Sequence, residues 1–206
     1  MEVCFESYSG DLINIMNELC IYLAGYLLLI IAGVFVFRFL VRRDYRRRGR
    51  LSVGVTFLQS LLFFTYGGFP TIYMHRDWPK VRVGWFLHGF GLLLLTAGLL
   101  FLLLWMIRLG VLTSLGRGMG HLETKGIYRY TRNPQAIACG LFVLGFSLLW
   151  PSWFALGWAL LYGFLIHLMV LTEEEHLARQ FGEDYQAYCS SVPRYLGFRK
   201  LRSSKR

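Results

Sequence analysis

Residues 121–134 read HLETKGIYRYTRNP and residues 173–195 read EEEHLARQFGEDYQAYCSSVPRY, and two apolar runs joined at Trp150-Pro151-Ser152 lie between them. A basic loop and an acidic-headed segment therefore flank an apolar hairpin. Two consecutive spans return a chain to the side it left, so both polar stretches emerge at one face of a membrane. A basic loop, three adjacent carboxylates and a lipid-embedded hairpin meeting there describe a site for a small charged ligand and an apolar one.

The rest of the chain supports this membrane setting. Of 206 residues, 55% are hydrophobic and 17% aromatic, and the mean hydropathy is +0.45. Such values with long apolar runs predict an all-α, polytopic membrane bundle of about five spans, with little chain left for a soluble domain. The net charge of +10 is clustered. In a membrane protein this reflects loop topology and anionic headgroups, not nucleic acid. Cys4, Cys20, Cys139 and Cys189 show neither metal-ligand spacing nor a paired framework and read as free thiols. The start, MEVCFESYSGDLINIMNELC, has no basic region and no small-residue cleavage site. The first apolar run therefore reads as an uncleaved anchor.

That first run extends from Leu19 to about Val41, after an acidic segment at 1–18. Arg38 near its end can snorkel to the interface. Seven arginines crowd residues 38–50, which places this loop in the cytoplasm and the N-terminus outside. The simplest role of the run is to set topology and touch anionic lipid. A second span runs from about Leu51 to Tyr73, bent near Gly67, Gly68 and Pro70. The loop MHRDWPKVR follows outside, with Trp78 as an interfacial anchor. A third, leucine-rich span covers about Val83 to Ile107, with His88 an interfacial histidine on the face away from the site. GRGMG at 116–120 lacks a preceding strand and a following GK[ST], so it reads as a flexible link and not a phosphate loop. Asn133 as N-cap and Pro134 at N1 start the fourth span, and the fifth continues from Ser152 to about Leu171. Ala136 and Gly140, and Ala155, Ala159 and Gly163, recur at spacings of four. They predict a tight fourth–fifth hairpin. The segment 172–191 carries Leu177, Phe181, Tyr185 and Tyr188 as an apolar stripe. It is expected to lie along the cytoplasmic surface or fold back over the basic loop.

Two readings of the charged residues stay open at this stage. Glu173, Glu174 and Glu175 sit directly after a span, where carboxylates are costly unless solvated, paired or used. Thr172 and Glu175 also have the spacing of a capping box, which would make the acids helix-start residues. Lys125, Arg129 and Arg132 are either positive-inside residues or anion ligands, with Tyr128 and Tyr130 between them. His121 and His167 are near enough in sequence to serve the site, and His167 can equally pair with the acidic triplet.

GIYRYTRNP, a hairpin and then EEEHLARQFGEDYQAYCSSVPRY together resemble the membrane-embedded methyltransferase superfamily, which holds isoprenylcysteine carboxyl methyltransferases and phospholipid N-methyltransferases. The resemblance covers about residues 112–198. Gly126, Tyr128, Arg129, Tyr130, Arg132, Asn133 and Pro134 carry its first half. Glu173, Glu174, Leu177, Phe181, Gly182, Tyr185, Tyr188, Val192 and Pro193 carry its second. It implies an N-terminal transmembrane region on the substrate side (1–111), a cofactor-binding region (112–198) and a basic tail (199–206). It also implies S-adenosylmethionine as cofactor and a lipophilic methyl acceptor reached from the bilayer. Arg132, Glu173 and Glu174 would act in catalysis. His121, Gly126, Tyr128, Arg129, Asn133 and Pro134, with the same two glutamates, would bind the cofactor. Asn133 in place of the commoner His occurs among bacterial relatives, which points to the plasma membrane of a prokaryote. Ala136 stands where many members have Tyr.

Two other classes remain in view. The membrane sterol reductases have a similar C-terminal layout but bind NADPH, whose phosphates three consecutive glutamates would repel. A non-catalytic relative that keeps the fold and binds lipid is the other, and Ala136 favours it.

Overall fold

The computed structural model describes residues 2–74, 81–109 and 122–197. His121, the GRGMG run, Trp78 and the basic tail lie outside the described residues. The chain forms α1 (Glu2–Val34), a π-helical stretch (Phe35–Val41), α2 (Arg42–Arg48), α3 (Val53–Met74) and α4 (Trp85–Leu109). A 3-10 turn (Gly126–Arg129), α5 (Pro134–Leu149) and α6 (Trp153–Ser191) complete it. The fold is an all-α bundle. Among the described residues, three stretches are long and apolar enough to cross a membrane, Met16–Arg48, Trp85–Leu104 and Trp153–Ser191, and α5 is a shorter apolar helix of 16 residues. Two boundaries differ from expectation. The first helix starts at Glu2, not Leu19, and α6 does not stop at Leu171 but continues to Ser191.

Proline chemistry explains one of the strongest joints. Pro70 lies inside α3 and has no N–H for the Tyr66 carbonyl one turn back. In hydrocarbon a freed carbonyl must find another donor. Trp158 Nε1 of α6 donates to it at 3.1 Å, and the Tyr66 hydroxyl donates in return to the Trp158 carbonyl at 3.1 Å. The two rings stack 5.0 Å apart, nearly parallel at 5°. Sequence thus produces an α3–α6 lock through a backbone vacancy.

The closest backbone approach is not in the expected fourth–fifth hairpin. It lies between α4 and α5. A Cβ on Gly98 would stand 2.7 Å from the Ala138 carbonyl oxygen, and one on Gly145 would stand 2.6 Å from the Gly91 carbonyl oxygen. Gly91 and Gly98, and Ala138 and Gly145, are each seven residues apart, so each pair lies on one helix face. Small residues let two helices close up where lipid gives no hydrophobic drive. Gly163 meets open space, and α5 is joined to α6 instead by the Tyr162 hydroxyl, which donates to the Ala136 carbonyl at 2.7 Å.

The core lies where α1, its π-helical end, α3 and α6 meet; Phe37, Val41, Leu161, Leu165, Val170 and Thr172 are fully buried. Widening the helix to a π register alters which carbonyls its own N–H groups serve. The Phe37 carbonyl receives the Thr172 hydroxyl at 3.3 Å, and that hydroxyl also reaches its own helix at Leu168 O, 2.9 Å away. Beyond it, buried Asp44 accepts from the Ser52 backbone at 2.9 Å and from the Ser52 hydroxyl, tying α2 to the start of α3. α2 is pressed onto α6 by Tyr45 and His176, whose rings stack 4.1 Å apart at 3°. The arginine-rich end of the first helix and the polar end of α6 therefore share one end of the bundle.

Candidate functional site

The site is built at that end from α6, the basic loop and a C-terminal strap, residues 183–197, that follows the Gly182 break. Gly182 has φ +51, a left-handed value that a side chain would strain, and it breaks α6 near its end. The last turns then swing back. Tyr185, Tyr188 and Val192 pack on Leu122, Tyr128, Leu177 and Phe181. Gly126, φ +63, opens the 3-10 turn on the facing loop. Four hydrogen bonds to backbone carbonyls hold the two stretches together among the described residues. Tyr188 donates from its hydroxyl to the Tyr128 carbonyl at 2.8 Å, and the Arg132 N–H donates to the Pro193 carbonyl at 3.0 Å. The Arg194 carbonyl accepts from Asn133 Nδ2 at 3.0 Å and Thr131 Oγ1 at 3.3 Å.

Three consecutive residues of a helix point about 100° apart, so the three glutamates meet three environments. Glu175 faces the first helix. It pairs with Arg38 at 2.9 Å, Arg42 at 2.7 Å and Arg179 at 3.7 Å. Burial opposes its ionisation, but the Arg38 hydrogen bond and the charges of Arg38 and Arg42 outweigh that and hold its carboxyl below the usual range. Glu174 is buried and faces the loop and strap. Arg132 lies 3.2 Å away, Arg194 donates from Nη2 at 2.8 Å and Nε at 3.0 Å, and Asn133 Nδ2 sits at 3.4 Å. Both of its oxygens are occupied.

Glu173 has neither a cationic partner nor a hydrogen bond among the described residues. Its side chain keeps some solvent contact, yet the protein packed around it strips away much of its hydration. That desolvation, with the neighbouring Glu174 charge, pushes its pKa up to about 7.

Glu173 lines a small cleft that is open to solvent on one side. Leu122, Glu123, Tyr128, Arg132, Asn133, Glu174, Leu177, Tyr185 and Tyr188 complete its walls. Tyr185 is 3% exposed and its hydroxyl has no hydrogen-bond partner among the described residues, the Cys189 thiol being a near neighbour. Arg132 Nη1 donates to Cys189 Sγ at 2.7 Å, while its Nε is buried and unpartnered. Buried polar atoms left in this state are groups a ligand can satisfy.

Of the residues singled out from sequence, Tyr128, Arg132, Asn133, Glu173 and Glu174 line this one cleft. Gly126, Arg129 and Pro134 do not. Gly126 supplies the turn, exposed Arg129 ends the 3-10 turn and buried Pro134 starts α5. Asn133 occupies the N-cap position but makes no capping bond; its amide is spent on Glu174 and the strap. His167 does not pair with the triplet. It lies six residues before Glu173, about 9 Å down the helix axis, and its Nδ1 meets the Tyr195 hydroxyl at 3.0 Å. The capping box also fails, because α6 is continuous through Thr172 and has no start there. Sequence reasoning missed Arg194, Glu123 and the wall role of Tyr185 and Tyr188. The YxxY spacing was a signal for the tyrosines, and the VPR turn for the arginine.

Among known proteins, the family model of phospholipid methyltransferases matches residues 86–184, from the start of α4 to just past the Gly182 break. No curated protein and no solved structure matches the chain. That family implies methyltransferase activity, and its members generally use S-adenosylmethionine. With apolar helices of membrane-crossing length beside this match, the chain is an integral membrane protein, and its residues 86–184 are similar to the phospholipid methyltransferase family, which lies in the integral membrane methyltransferase superfamily.

Proposed function

We propose that the chain transfers a methyl group from S-adenosylmethionine to a phospholipid or similar lipid acceptor at the polar end of the bundle. The observation that carries this reading is Glu173, a partly desolvated carboxylate without a counter-ion among the described residues, in a cleft that also holds Glu123 and Glu174. Such a cleft favours a cation. The Arg132 guanidinium suits the donor's carboxylate, and the unpartnered Tyr185 hydroxyl suits a ribose or ring acceptor. The donor set fits S-adenosylmethionine and opposes NADPH, whose phosphates would face three carboxylates and an arginine already shared with Glu174.

When bound, S-adenosylmethionine supplies a methyl group activated by a sulfonium. The task of the chain is then alignment and exclusion of water. Arg132 and Asn133, held by the strap through Pro193 and Arg194, present a rigid edge. Leu122, Leu177 and the tyrosines form the apolar lining. The exposed arginines of α2 lie at this end, which supports a cytoplasmic site with the N-terminus outside. The lipid would enter sideways from the inner leaflet.

The test is to incubate membranes bearing the protein with S-adenosylmethionine radiolabelled in its methyl group and extract the lipids. The reading expects label in a lipid fraction, absent without the protein. Saturating donor with no labelled lipid refutes it.

A further inference from the structure

The face of α6 turned away from the cleft carries more positive charge than it uses. Glu175 lies two residues beyond Glu173 and about 200° around the helix, so what gathers on it is separate from the cleft. Three guanidinium groups meet this one carboxylate, Arg38 at 2.9 Å, Arg42 at 2.7 Å and Arg179 at 3.7 Å. The acid of α2, Asp44, is buried and engaged by Ser52. Positive charge is therefore left over, and exposed Arg43 adds to it. Arg38 and Arg42 grip opposite oxygens of Glu175, which holds the two side chains next to each other. Each guanidinium carries five N–H groups in a rigid fork, more than a shared carboxylate can accept. Arg42 Nε is buried in ionic contact with Glu175 yet has no hydrogen-bond partner among the described residues. Two arginines fixed together with donors to spare are a preformed receptor for a second anion.

The first helix also says where that anion comes from. Phe35 and Phe39 are 54% and 61% exposed, and their rings stack 5.9 Å apart at 29°. Exposed Arg43 and Arg47 follow at the same spacing of four. An aromatic surface thus runs directly into a basic one at the polar end of the bundle. Setting topology needs only a count of basic residues on one side. It requires neither a shared carboxylate nor an aromatic ledge. A free anion would use the arginines and leave the phenylalanines idle. A zwitterionic head group would bring its own ammonium to a place that is already positive.

We propose that Arg38, Arg42 and Arg43, with Phe35 and Phe39 beside them, form a binding site for an anionic phospholipid on the side of α6 away from the cleft. Its phosphate lies against the arginines and an acyl chain against the two rings. Occupancy offsets the repulsion among the guanidinium groups that share Glu175. The bound lipid therefore tightens the hold of the first helix on α6.

The experiment uses the full chain in a neutral detergent, with phosphatidylglycerol, phosphatidylcholine or inorganic phosphate added separately. Melting curves report stabilisation, and native mass spectrometry counts the lipid that stays bound. Phosphatidylglycerol is expected to raise the melting temperature and to be retained in preference to phosphatidylcholine by roughly tenfold. Arg43→Gln leaves the three ion pairs of Glu175 intact and should cut that preference about fivefold, the scale of one arginine at a membrane surface. Phe39→Ala should weaken retention of phosphatidylglycerol without changing any charge. Arg82→Gln removes an exposed arginine at the far end of the bundle, beside the Pro151 turn, and should leave the preference within about twofold. Equal stabilisation by the two lipids overturns the site. Equal losses in Arg43→Gln and Arg82→Gln overturn it too, because the attraction would then belong to the whole surface. Inorganic phosphate that stabilises as well as phosphatidylglycerol, with Phe39→Ala without effect, overturns the lipid as its occupant.

Discussion

The polar end of α6 has two faces that carry the same residue type to opposite ends. Toward the first helix, Glu175 meets Arg38, Arg42 and Arg179, and its negative charge is fully matched. Toward the cleft, Glu174 is matched by two arginines while Glu173, one residue away, is matched by none among the described residues. A saturated carboxylate holds helices together, and an unsaturated one is available to a ligand. The contrast separates scaffold from site within three consecutive residues.

Substitutions can break this contrast. The largest effect should come from Glu174→Ala, which leaves Arg132 and Arg194 facing each other without their acid. Breaking a buried pair of this kind costs about 3–5 kcal/mol, and Arg132 is only 12% exposed. Denaturation in detergent micelles measures it. Glu173→Gln should go the other way in stability, unchanged or slightly raised at pH 8, because it removes a desolvated charge without orphaning a partner. Methyl transfer should nevertheless fall by roughly 100-fold, the scale of losing one buried electrostatic contact to a reacting group. A Glu173→Gln variant that unfolds would erase the distinction.

pH sharpens the comparison. The folded-state pKa of Glu173, about 7, lies above its ordinary value of 4.5. The folded protein therefore holds that proton more tightly. The stability this confers is fully present below pH 4.5 and is lost as pH rises through 7. A cation prefers the ionised carboxylate, so donor affinity should climb by up to tenfold per pH unit below about 7 and level off above. Arg132, Glu174, Tyr45 and Tyr128 also face or sense this carboxylate. Burial holds the nearby His176 below its ordinary value. Its titration thus falls at the acid side, and subtracting the Glu173→Gln profile isolates Glu173. The smallest effect belongs to the other face. Arg38→Ala should cost about 1 kcal/mol, since Arg38 and Glu175 keep 28% and 30% exposure and solvent screens the pair. Donor affinity should stay within about twofold of wild type.

Much of the bundle was legible because apolar runs report spans directly, and Asn133-Pro134 marks a helix start by local chemistry. The cleft's five motif residues were legible for the same reason: loop and helix each carry a compact pattern. What escaped depends on neighbours remote in sequence. Small residues four apart pointed to α5 and α6, but the close contact uses Gly91, Gly98, Ala138 and Gly145 at spacings of seven, and spacing alone does not name a partner helix. Arg38 read as a snorkelling residue because its acid, Glu175, lies 137 positions away. The unequal fates of the three glutamates follow from which helix lies at each angle around α6, and no local pattern contains that.

The most direct test is calorimetric titration of S-adenosylmethionine into Glu173→Gln and Glu175→Gln side by side. The account predicts that Glu175→Gln binds within about twofold of wild type while Glu173→Gln loses roughly tenfold or more. Equal affinities in the two variants, whether both kept or both lost, would contradict it.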